Sequence, residues 1–457
     1  MQNSGESPKA DEQKTVAVLG TGYVGVTTSA ILANAGYKVY ALDISDDRLQ
    51  ALREGRSFFY EEGINPLIKN AVDSGSLIPT ASYEEAVSNS KFVFSCVGTP
   101  DRPDGSSNLD YVFAAAEECA KHVKPGSIYI QKSTVPVGTG RKVLEVFKDK
   151  DVAYTSNPEF LREGTAVLDT LFFDRIVVGG SDKQAVEQVL GLYKDVEENQ
   201  KAIAELAGLK PKEIKGEYIA TNLDSAELIK VTANAFLALK ISFANSIAQL
   251  ADKTEADVKE VMYATGADPR IGRAFLNAGR GYGGGCFPKD VKGLISSAQS
   301  FGVDLQIMKA ADELNKQMPE YIVSKTSSKI GDFKDKKIAV LGLSFKAGTS
   351  DARKSPGVGI ANILAETGAV VNAYDPEANN EAKEDLSDAV NVVSSSSDAV
   401  KGADAVFVAT DWPEFKSMNL AELKTAMAGN VLVDCMNIYD ANEASQPGLE
   451  LIGVGRS

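Results

Sequence analysis

The sequence Thr15-Val16-Ala17-Val18-Leu19-Gly20-Thr21-Gly22-Tyr23-Val24-Gly25 constrains the fold of this 457-residue chain more than any other stretch. It joins a short β-type run to a Gly-x-Gly-x-x-Gly turn. An apolar helix is predicted from Val26 to Ala35, and a second strand, Lys38 to Leu42, ends at Asp43. The glycine pattern alone is a weak signal. Between a strand and a helix, with an acid about twenty residues further on, it strongly predicts a dinucleotide-binding unit.

The glycines and Asp43 also indicate which dinucleotide would bind. Glycines at this turn let a pyrophosphate sit on the N-terminus of the following helix. Asp43 would accept hydrogen bonds from the adenosine ribose hydroxyls, and its carboxylate would repel a 2′-phosphate. NAD is therefore favoured over NADP. The alternative is a βαβ unit with Gly-rich turns that binds no nucleotide.

Polar residues follow the ends of three further β-type runs. The runs Phe92–Val97, Ile128–Gln131 and Ala153–Thr155 each lead into a polar turn. In a doubly wound sheet, ligands bind beyond the carboxyl ends of the strands. Any one of the polar residues could merely cap a helix, but together they predict a site. They are Thr99, Thr134, Glu159 and Glu163.

The second half of the chain repeats the pattern of the first. Lys337–Gly342 is similar to the first strand and its turn, and Val370–Asp375 is similar to the second strand with its acid. Extra residues fall at the turn between them, where Phe345–Pro356 replaces the glycine fingerprint. This pattern predicts a second Rossmann-like domain whose basic turn suits a different phosphorylated ligand. A solvated surface loop is the alternative. The basic residues of the turn are Lys346, Arg353 and Lys354.

A long helix is predicted between the two halves. The run Leu223–Asp252 contains no Pro or Gly and predicts about thirty helical residues, roughly 45 Å in length. Asp224 is expected to cap the helix, with Glu227 at the third position of a capping box. Glu227, Lys230 and Asn234 then lie on one face of an otherwise apolar helix. A buried lysine is costly unless it is paired or used, and it can titrate low enough to act as a base. The alternative for Lys230 is a side chain that snorkels at an interface.

The stretch Gly281-Tyr282-Gly283-Gly284-Gly285-Cys286-Phe287-Pro288-Lys289-Asp290 contains a candidate nucleophile. Its glycines allow close approach of the backbone to a ligand, and Pro288 fits the first turn of a helix. Cys286 would therefore lie at a helix N-terminus, whose partial positive charge favours a thiolate. Lys289 adds a cation, and Asp290 would lie near the sulfur. A free cysteine is more often a small buried apolar residue. That is the expectation for Cys96, Cys119 and Cys435.

Composition argues against several classes of function. The formal net charge of −15 disfavours non-specific binding of nucleic acid. The single histidine, His122, is expected in a surface turn after a helix, so acid–base chemistry would fall to other residue types. The four cysteines show no metal-ligand or disulfide pattern, which predicts no metal and a reducing cytoplasm. No apolar run approaches the ~20 residues of a membrane span, so no membrane partner is expected. Met1–Lys14 is polar and predicts a disordered tail rather than a signal peptide.

Taken together, these motifs resemble the UDP-glucose/GDP-mannose dehydrogenase family from about Thr15 to Tyr439. The Cys-Phe-Pro-Lys-Asp motif is more similar to the UDP-glucose branch than to the GDP-mannose or N-acetylated-sugar branches. The resemblance implies an α/β fold, with two Rossmann-like doubly wound parallel-sheet domains joined by a long central helix and a helical dimerisation region. The other matching segments are Gly20–Gly25, Lys132–Thr139, Ser156–Gly164, Ala226–Lys230 with Asn234–Ala238, Arg270–Gly272 and Leu341–Lys346.

The resemblance also suggests domain boundaries. We expect a disordered tail over residues 1–14 and an NAD-binding Rossmann domain over 15–215. A central helical and dimerisation domain carrying catalytic residues would cover 216–328, and a UDP-sugar-binding Rossmann-like domain 329–457. The segment 197–215 is interpreted as an insertion of unknown role.

The family's chemistry accounts for the candidate residues. The resemblance implies oxidation of UDP-glucose at C6 to UDP-glucuronate by two successive hydride transfers to NAD. Cys286 would add to the intermediate aldehyde as a thiohemiacetal, and a thioester would remain for water to cleave. Lys230 and Asn234 would stabilise the developing oxyanion, and Lys230 would assist proton removal. The other implied catalytic residues are Asp290, Glu163, Thr134 and Glu159.

Binding residues are implied in the same way. Lys346 and Arg270 would neutralise the diphosphate, with Arg270 reaching from the partner subunit of a homodimer, or higher homo-oligomer, built on the long helix. The implied cofactor-binding residues are Gly20, Gly22, Tyr23, Val24, Gly25, Asp43, Arg48, Thr99, Thr134, Glu163 and Arg353. The implied substrate-binding residues are Glu159, Phe160, Leu161, Lys230, Asn234, Arg270, Phe275, Gly283 and Lys346.

The chain departs from the family pattern at several positions. Met436 stands where Arg is usual, which puts one diphosphate or interface contact in doubt. Phe58–Glu61 replaces a usual Pro-Ile-Tyr-Glu, Ser246 stands where Glu is common, and Gly285 replaces the usual Ser before Cys286. The alternatives for function are the same chemistry on GDP-mannose or a UDP-N-acetylhexosamine, and a nucleotide-sugar-binding protein without catalysis.

Overall fold

The computed structural model describes residues 14–456. The chain divides into two compact units, Met1–Thr232 and Ala233–Ser457. Residues 1–13 of the predicted tail lie outside the described residues. The predicted division into four segments is finer than this two-way division and stays a prediction.

The first unit contains one eight-stranded sheet. Its strands are β1 (Thr15–Leu19), β2 (Lys38–Leu42), β3 (Leu77–Thr80), β4 (Phe92–Ser95), β5 (Ser127–Gln131), β6 (Val152–Ser156), β7 (Arg175–Gly180) and β8 (Glu217–Thr221). They lie in the order β3-β2-β1-β4-β5-β6-β7-β8. β1 to β6 are parallel, β7 pairs antiparallel with β6, and β8 runs parallel to β7.

Both faces of this sheet are buried, as the apolar runs predict for parallel strands. Side chains alternate along β1: Val16 and Val18 pack in one core, whereas Ala17 and Leu19 pack in the other. Helices cover the two faces. They are α1 (Tyr23–Asn34), α2 (Asp46–Arg53), α3 (Ile64–Asp73), α4 (Tyr83–Ser88), α5 (Asp110–His122), α6 (Thr139–Val146), α7 (Ala166–Leu171) and α8 (Lys183–Leu206).

The second unit contains a six-stranded sheet that is parallel throughout. Its strands are β9 (Lys337–Leu341), β10 (Val370–Tyr374), β11 (Val390–Val392), β12 (Ala405–Val408), β13 (Val431–Asp434) and β14 (Glu450–Gly453). Their order is β11-β10-β9-β12-β13-β14.

Nine helices accompany this sheet within the described part of the second unit. Three of them precede β9, namely α10 (Val258–Thr265), α11 (Phe287–Ser300) and α12 (Gln306–Ile330). The others follow β9, namely α13 (Pro356–Glu366), a 3₁₀ helix (Glu381–Glu384), α14 (Ser396–Val400), α15 (Pro413–Lys416), α16 (Leu420–Ala426) and α17 (Ala441–Ser445). Another helix, α9 (Leu223–Ala251), links the two units along the chain.

The two sheets share one topology. Counted within each unit, the first six strands lie in the order 3-2-1-4-5-6, which is the order of a Rossmann fold. The predicted α/β fold with two Rossmann-like domains is therefore confirmed. The antiparallel strand β7 was not predicted, and it extends the first sheet beyond the six Rossmann strands.

The predicted central helix is also confirmed: α9 runs from Leu223 to Ala251 and joins the two units. Among the described residues it is the one helix long and apolar enough to cross a membrane by length and composition alone. Its most apolar window has a mean hydropathy of 1.2 and is 44% buried, and core helices of soluble proteins pass the same test.

The predicted capping box at the start of α9 is wrong. Asn222, not Asp224, caps the helix, because its Oδ1 accepts a hydrogen bond from Ser225 N at 2.9 Å. Glu227 is instead directed at α6, where its carboxylate accepts hydrogen bonds from Gly138 N and Gly140 N, each at 2.7 Å. The carboxylate thus satisfies the free amides at the N-terminus of another helix.

The predicted position of His122 needs a correction as well. His122 is the last residue of α5 and does not lie in a turn beyond it. Its Nε2 is 3.6 Å from Glu118 Oε1, one helical turn earlier. The helix ends at His122, and the next residue, Val123, has an extended conformation.

Candidate active site

The glycine turn after β1 has the shape of a cofactor cradle. Gly20 has a φ of 91°, which only glycine adopts without strain, and its N–H donates to Leu42 O at 2.8 Å. A Cβ on Gly25 would lie 1.9 Å from Gly20 O, so glycine is needed where α1 packs against the turn. A Cβ on Gly22 would meet no atom within 4 Å. The N-terminus of α1 is therefore open on the side where a pyrophosphate would approach.

Asp43 lies at the end of β2 and faces this turn. Its Oδ2 accepts hydrogen bonds from the N and Oγ1 atoms of Thr21, each at 2.7 Å, and Oδ1 accepts one from Ser45 N at 2.9 Å. Arg48 Nη1 is 3.5 Å from Oδ2. Burial raises the pKa of Asp43, but these hydrogen bonds and Arg48 outweigh it, and the net shift is downward. A buried, ionised carboxylate at this place fits the ribose of NAD.

Glu61 fastens the cofactor turn to the segment that carries Glu163. The carboxylate of Glu61 accepts a hydrogen bond from the hydroxyl of Tyr23. It also accepts hydrogen bonds from Gly164 N at 2.7 Å and Val167 N at 3.3 Å. Glu61 is not among the predicted site residues, because its partners are far along the chain. The carboxylate of Glu61 is buried.

Two threonines at the ends of β4 and β5 lie together. Thr99 Oγ1 donates to Thr134 O at 3.0 Å. The hydroxyl of Ser133 donates to Val97 O at 2.7 Å. The predicted convergence of strand-end residues is observed for this pair, and the Thr134 side chain remains half-buried.

Lys230 and Glu159 form a buried ion pair. Lys230 Nζ is 3.1 Å from Glu159 Oε1, and their side chains are 4% and 9% exposed. The other carboxylate oxygen, Oε2, is buried and has no hydrogen-bond partner among the described residues. The ring of Phe160 lies 5.4 Å from Nζ. The alternative of a snorkelling Lys230 is therefore wrong, because its ammonium group is buried and paired.

A second buried lysine, Lys132, supports the same segment. Its Nζ donates to Tyr193 Oη at 2.9 Å and to Asn157 Oδ1 at 3.3 Å. Lys132, Glu159 and Phe160 line one cleft of the first unit. Lys132 is not among the predicted site residues, although it begins the matching segment Lys132–Thr139. A cation followed by a polar turn at the end of β5 was the available signal.

In the second unit, Cys286 lies at the N-cap of α11, with Pro288 in the first turn. It is exposed, and the other cysteines, Cys96, Cys119 and Cys435, are buried. The predicted position of Cys286 at a helix start and the predicted burial of the other three cysteines are confirmed. Burial raises the pKa of Cys96 and Cys119 to about 12, which leaves both as neutral thiols.

Asp290 and Asn234 meet beside this helix start. Asn234 Nδ2 donates to Asp290 Oδ2 at 2.6 Å, and Lys289 Nζ donates to Oδ1 at 2.8 Å. Asp290 N donates to Cys286 O at 2.8 Å, which fixes the carboxylate one helical turn from the thiol. Three predicted catalytic residues of the second unit, Cys286, Asn234 and Asp290, are thus linked through direct contacts.

The glycine turn before Cys286 (residues 281–285) packs on the basic loop that follows β9 (residues 343–355). Gly285 N donates to Asp351 Oδ2 at 3.4 Å. Asp351 also holds Arg353 through two side-chain hydrogen bonds of 2.8 and 2.6 Å. Lys346 is half-buried, with its Nζ 5.7 Å from the centre of the Phe345 ring. The loop is therefore ordered by its own ion pair and is not merely a solvated surface segment.

Two predicted substrate residues lie in the segment after α10. Phe275 has a φ of 62°, a strained value for a residue with a side chain, and its ring centre is 6.1 Å from that of Phe287. Arg270 has a guanidinium that is 87% exposed and paired with Asp268 at 2.5 Å. Among the described residues, the structure does not bring Arg270 to Cys286, and its predicted role stays a prediction.

Models of one family match three consecutive parts of the chain. They describe the NAD binding domain over residues 14–197, the central domain over 224–317 and the UDP binding domain over 339–441. The chain belongs to the UDP-glucose/GDP-mannose dehydrogenase family. The interpreted insertion, 197–215, lies almost wholly between the first two matches.

Relatives in this family match nearly the whole chain. The UDP-glucose 6-dehydrogenase YwqF of Bacillus subtilis (strain 168) is 38% identical over 446 residues, which are 96% of this chain and 97% of the relative. A UDP-glucose dehydrogenase from the hyperthermophilic archaeon Pyrobaculum islandicum has a structure with a TM-score of 0.87 and 35% identity, covering 99% of this chain and 100% of its own. A UDP-D-ManNAc dehydrogenase from Pyrococcus horikoshii is 28% identical with a TM-score of 0.84, covering 97% and 99%.

Family membership confirms the predicted cofactor and the class of reaction. The protein is an NAD-dependent nucleotide-sugar 6-dehydrogenase, with an NAD-binding domain and a UDP-binding domain. The roles assigned to individual side chains stay predictions. What the structure adds is their grouping within each unit, with Glu159 and Lys230 in the first and Asn234, Cys286 and Asp290 in the second.

Proposed function

We propose that the protein oxidises UDP-glucose at C6 to UDP-glucuronate. The observation that carries the proposal is Cys286, the one exposed cysteine of the described residues, at the N-cap of α11. Two oxidations at one carbon pass through an aldehyde. A nucleophilic thiol can retain that aldehyde covalently until the second oxidation.

The chain's own residues would act in a fixed order. When bound, NAD supplies the hydride acceptor for both oxidations. Lys230, held by Glu159, would lie at the oxygen that loses its proton and would stabilise the negative charge there. The Cys286 sulfur would add to the aldehyde carbon, forming a thiohemiacetal. Loss of a hydride from that carbon leaves a thioester, and attack by water releases the carboxylate and restores the thiol.

The acid–base work of these steps would fall to carboxylates and lysines. Asp290 is one helical turn from Cys286 and is fixed by Asn234 and Lys289, so it can orient the water that cleaves the thioester. Glu159 has a buried oxygen without a hydrogen-bond partner among the described residues, which suits a proton acceptor or a water. The single histidine lies at the end of α5 and has no part in this arrangement.

UDP-glucose is proposed over other nucleotide sugars because of the relatives. The two most similar proteins described above, at 38% and 35% identity, are UDP-glucose dehydrogenases by name. The relative that acts on UDP-D-ManNAc is less similar, at 28% identity. The alternative substrates are therefore a UDP-N-acetylhexosamine or GDP-mannose, with the same chemistry.

A substrate panel with NADH detection tests the proposal. Purified protein with NAD should form two NADH per UDP-glucose and much less with UDP-N-acetylhexosamines or GDP-mannose. Cys286→Ser should form at most one NADH per sugar. NADH from another sugar only would overturn the choice of UDP-glucose. Thermal stabilisation by nucleotide sugars with no NADH from any of them would support the non-catalytic alternative.

We also propose a homodimer built on α9, in a reducing cytoplasm that keeps Cys286 a thiol. The side chains of Phe236, Phe243 and Leu250 recur every seven residues and are 58%, 48% and 62% exposed. An apolar stripe with this period is typical of a helix that packs against a partner. Sedimentation equilibrium should give a dimer at micromolar concentration, and Phe243→Glu should shift it towards monomer. A monomeric wild-type protein would contradict the proposal.

A further inference from the structure

Arg280 is a fully buried arginine six residues before Cys286. Its Nη2 donates to Ser344 O at 3.1 Å and to Phe345 O at 2.8 Å, and its Nη1 donates to Ser355 Oγ at 3.2 Å. None of these acceptors is a carboxylate, and Nε has no partner among the described residues. Burial lowers the pKa of Arg280 to about 10, so the guanidinium still carries its charge near neutral pH.

The acceptors of Arg280 lie at the two ends of the basic loop. Ser344 and Phe345 begin the loop, and Ser355 ends it immediately before α13. The loop is also closed on itself, because Phe345 N donates to Asp351 O at 2.9 Å. The first unit has no counterpart of this loop, since its glycine turn passes directly into α1. Arg280 therefore bridges the extra residues that distinguish the second Rossmann turn from the first.

The glycine turn packs on the same loop, near the loop's C-terminal end. Gly284 N donates to Arg353 O at 2.9 Å. A Cβ on Gly283 would lie 2.4 Å from Lys354 O, so the two backbones touch and leave no room for a side chain. The position of the glycine turn is thus set by the shape of the basic loop.

Burial lowers the pKa of Arg280, and the charges of Asp375 and Asp411 oppose that shift only in part, so electrostatics alone do not explain why an arginine is here. Ser355 caps α13, and Nη1 of Arg280 would lie 3.0 Å from a Cβ on Gly357, in the first turn of that helix. The N-terminus of a helix carries partial positive charge and disfavours a cation. Burial of a guanidinium without a carboxylate within ion-pair distance adds a desolvation cost. The hydrogen bonds to the two ends of the loop offset these costs, together with the nearby carboxylates of Asp375 and Asp411.

We infer that Arg280 is a positioning residue for Cys286. Its guanidinium fixes the basic loop as the platform for the glycine turn, and the glycine turn sets where the sulfur lies. The planar fork of donors is required, because one lysine ammonium cannot reach both ends of the loop in the same geometry. The inference rests on Cys286 being the nucleophile of the proposed function.

The test uses the full-length protein with Arg280→Lys and Arg280→Met. The first readout is the rate of iodoacetamide alkylation of Cys286 between pH 6 and pH 10, followed by mass spectrometry. The other three cysteines are buried, so the alkylated site is unambiguous. We expect the pH midpoint of alkylation to move, and kcat to fall roughly 10- to 100-fold through misplacement of the thiol. The KM for NAD should change by a smaller factor than kcat, because every implied cofactor-binding residue except Arg353 belongs to the first unit.

Lys325→Met is the matched control. Lys325 is a half-buried cation of the second unit; it forms an ion pair with Asp252, and its Nζ donates to Gly453 O at 2.6 Å. Its removal should lower the thermal midpoint of unfolding without moving the alkylation profile or kcat. If the Arg280 variants are insoluble, Ser355→Ala removes one acceptor and should move both readouts in the same direction, by a smaller factor.

Folded Arg280 variants with a wild-type alkylation profile and a kcat within twofold of wild type would overturn the inference, and so would an unchanged Ser355→Ala. Alkylation needs no substrate. A protein that is inactive on UDP-glucose, yet shows a shifted alkylation profile in Arg280→Lys, would therefore contradict the proposed function and still support the inference.

Discussion

The turn after the first strand differs between the two units, although their sheets share one strand order. In the first unit the turn is short and a Cβ on Gly22 would meet no atom within 4 Å. In the second unit, Asp375 follows β10 and is fully buried. Both of its carboxylate oxygens accept hydrogen bonds. Its Oδ2 accepts hydrogen bonds from Leu343 N, Ser344 N, Ser344 Oγ and Trp412 Nε1 at 2.8 to 3.1 Å.

The difference shows that equal topology does not imply equal ligands. Asp43 and Asp375 occupy the same place in the two sheets, but only Asp43 lies beside an open helix N-terminus. The carboxylate of Asp375 organises the basic loop instead. We therefore predict that the UDP-binding domain uses the loop's basic side chains rather than the Rossmann acid.

The largest expected effect is the loss of one ligand at a time, through substitution of the glycine that packs on the Rossmann turn of each unit. A Cβ would lie 1.9 Å from Gly20 O in Gly25→Ala, and 2.3 Å from Gly342 O in Gly357→Ala. Real Cβ contacts are never this short, so α1 or α13 must move away from its sheet. We expect Gly25→Ala to abolish NAD binding and Gly357→Ala to abolish UDP binding, each measured by calorimetry.

Gly22→Ala is the control for this pair. Its Cβ enters open space, so the thermal midpoint of unfolding should stay near that of wild type while the KM for NAD rises at least ~10-fold. If Gly22→Ala binds NAD as wild type does, the open side of the turn is not where the pyrophosphate sits.

The next effect concerns Lys230 and Glu159 in the first unit. Lys230→Met removes the cation and leaves the Glu159 carboxylate buried without its ion pair. We expect kcat to fall by roughly 10² to 10⁴, because a charged group that assists proton transfer is lost. Steady-state NADH formation across pH 6 to 10 measures it.

Lys132→Met is the comparison for Lys230, because Lys132 is a buried lysine of the same cleft with neutral partners. It should lower stability more than turnover. Equal losses of kcat in both variants would show that Lys230 only maintains the fold of the cleft.

How far the sequence predicts these features depends on the range of the contacts involved. The glycine turn, the repeat and the Cys286 helix start are local patterns, and each was predicted from adjacent residues. Glu61, Lys132 and Arg280 were missed as site residues because their partners lie tens of residues away. Glu227 was assigned to the wrong helix for the same reason. Periodicity identifies a buried face, but not the backbone amides that the carboxylate will meet.

A smaller effect tests the two Rossmann acids directly. Asp43→Asn should raise the KM for NAD roughly 10-fold. It should also reduce the preference for NAD over NADP, since the charge that repels a 2′-phosphate is lost. Asp375→Asn should leave the KM for NAD unchanged and lower the free energy of unfolding by about 3–5 kcal/mol, because an amide donor would face buried donors. Kinetics with both cofactors and chemical unfolding distinguish them. A changed KM for NAD in Asp375→Asn would contradict the assignment of the two turns.

The smallest effect is the pH dependence that Glu227 contributes. Burial raises the pKa of this carboxyl to about 7, although the amides of Gly140 and Gly138 oppose the rise. The nearby charge of Asp224 adds to the rise in pKa, and that of Arg141 reduces it. The buried hydroxyl of Tyr154 lies beside Gly140. The folded pKa is above that of the unfolded chain, so the folded state holds more protons between the two values. The stability contributed by Glu227 is therefore fully present below the unfolded pKa and is lost as pH rises towards 7.

Glu227→Gln removes this titration and gives the measurement. Relative to wild type, the variant should gain stability between pH 4.5 and pH 7, by no more than about 3 kcal/mol, and the difference should stay constant above that window. Thermal unfolding at pH intervals of half a unit follows it, with Glu117→Gln, an exposed carboxylate on α5, as the control. A constant difference across the whole range would show that Glu227 is already ionised in the folded protein at pH 5. In that case the N-terminus of α6 would be held by a full negative charge throughout the pH range.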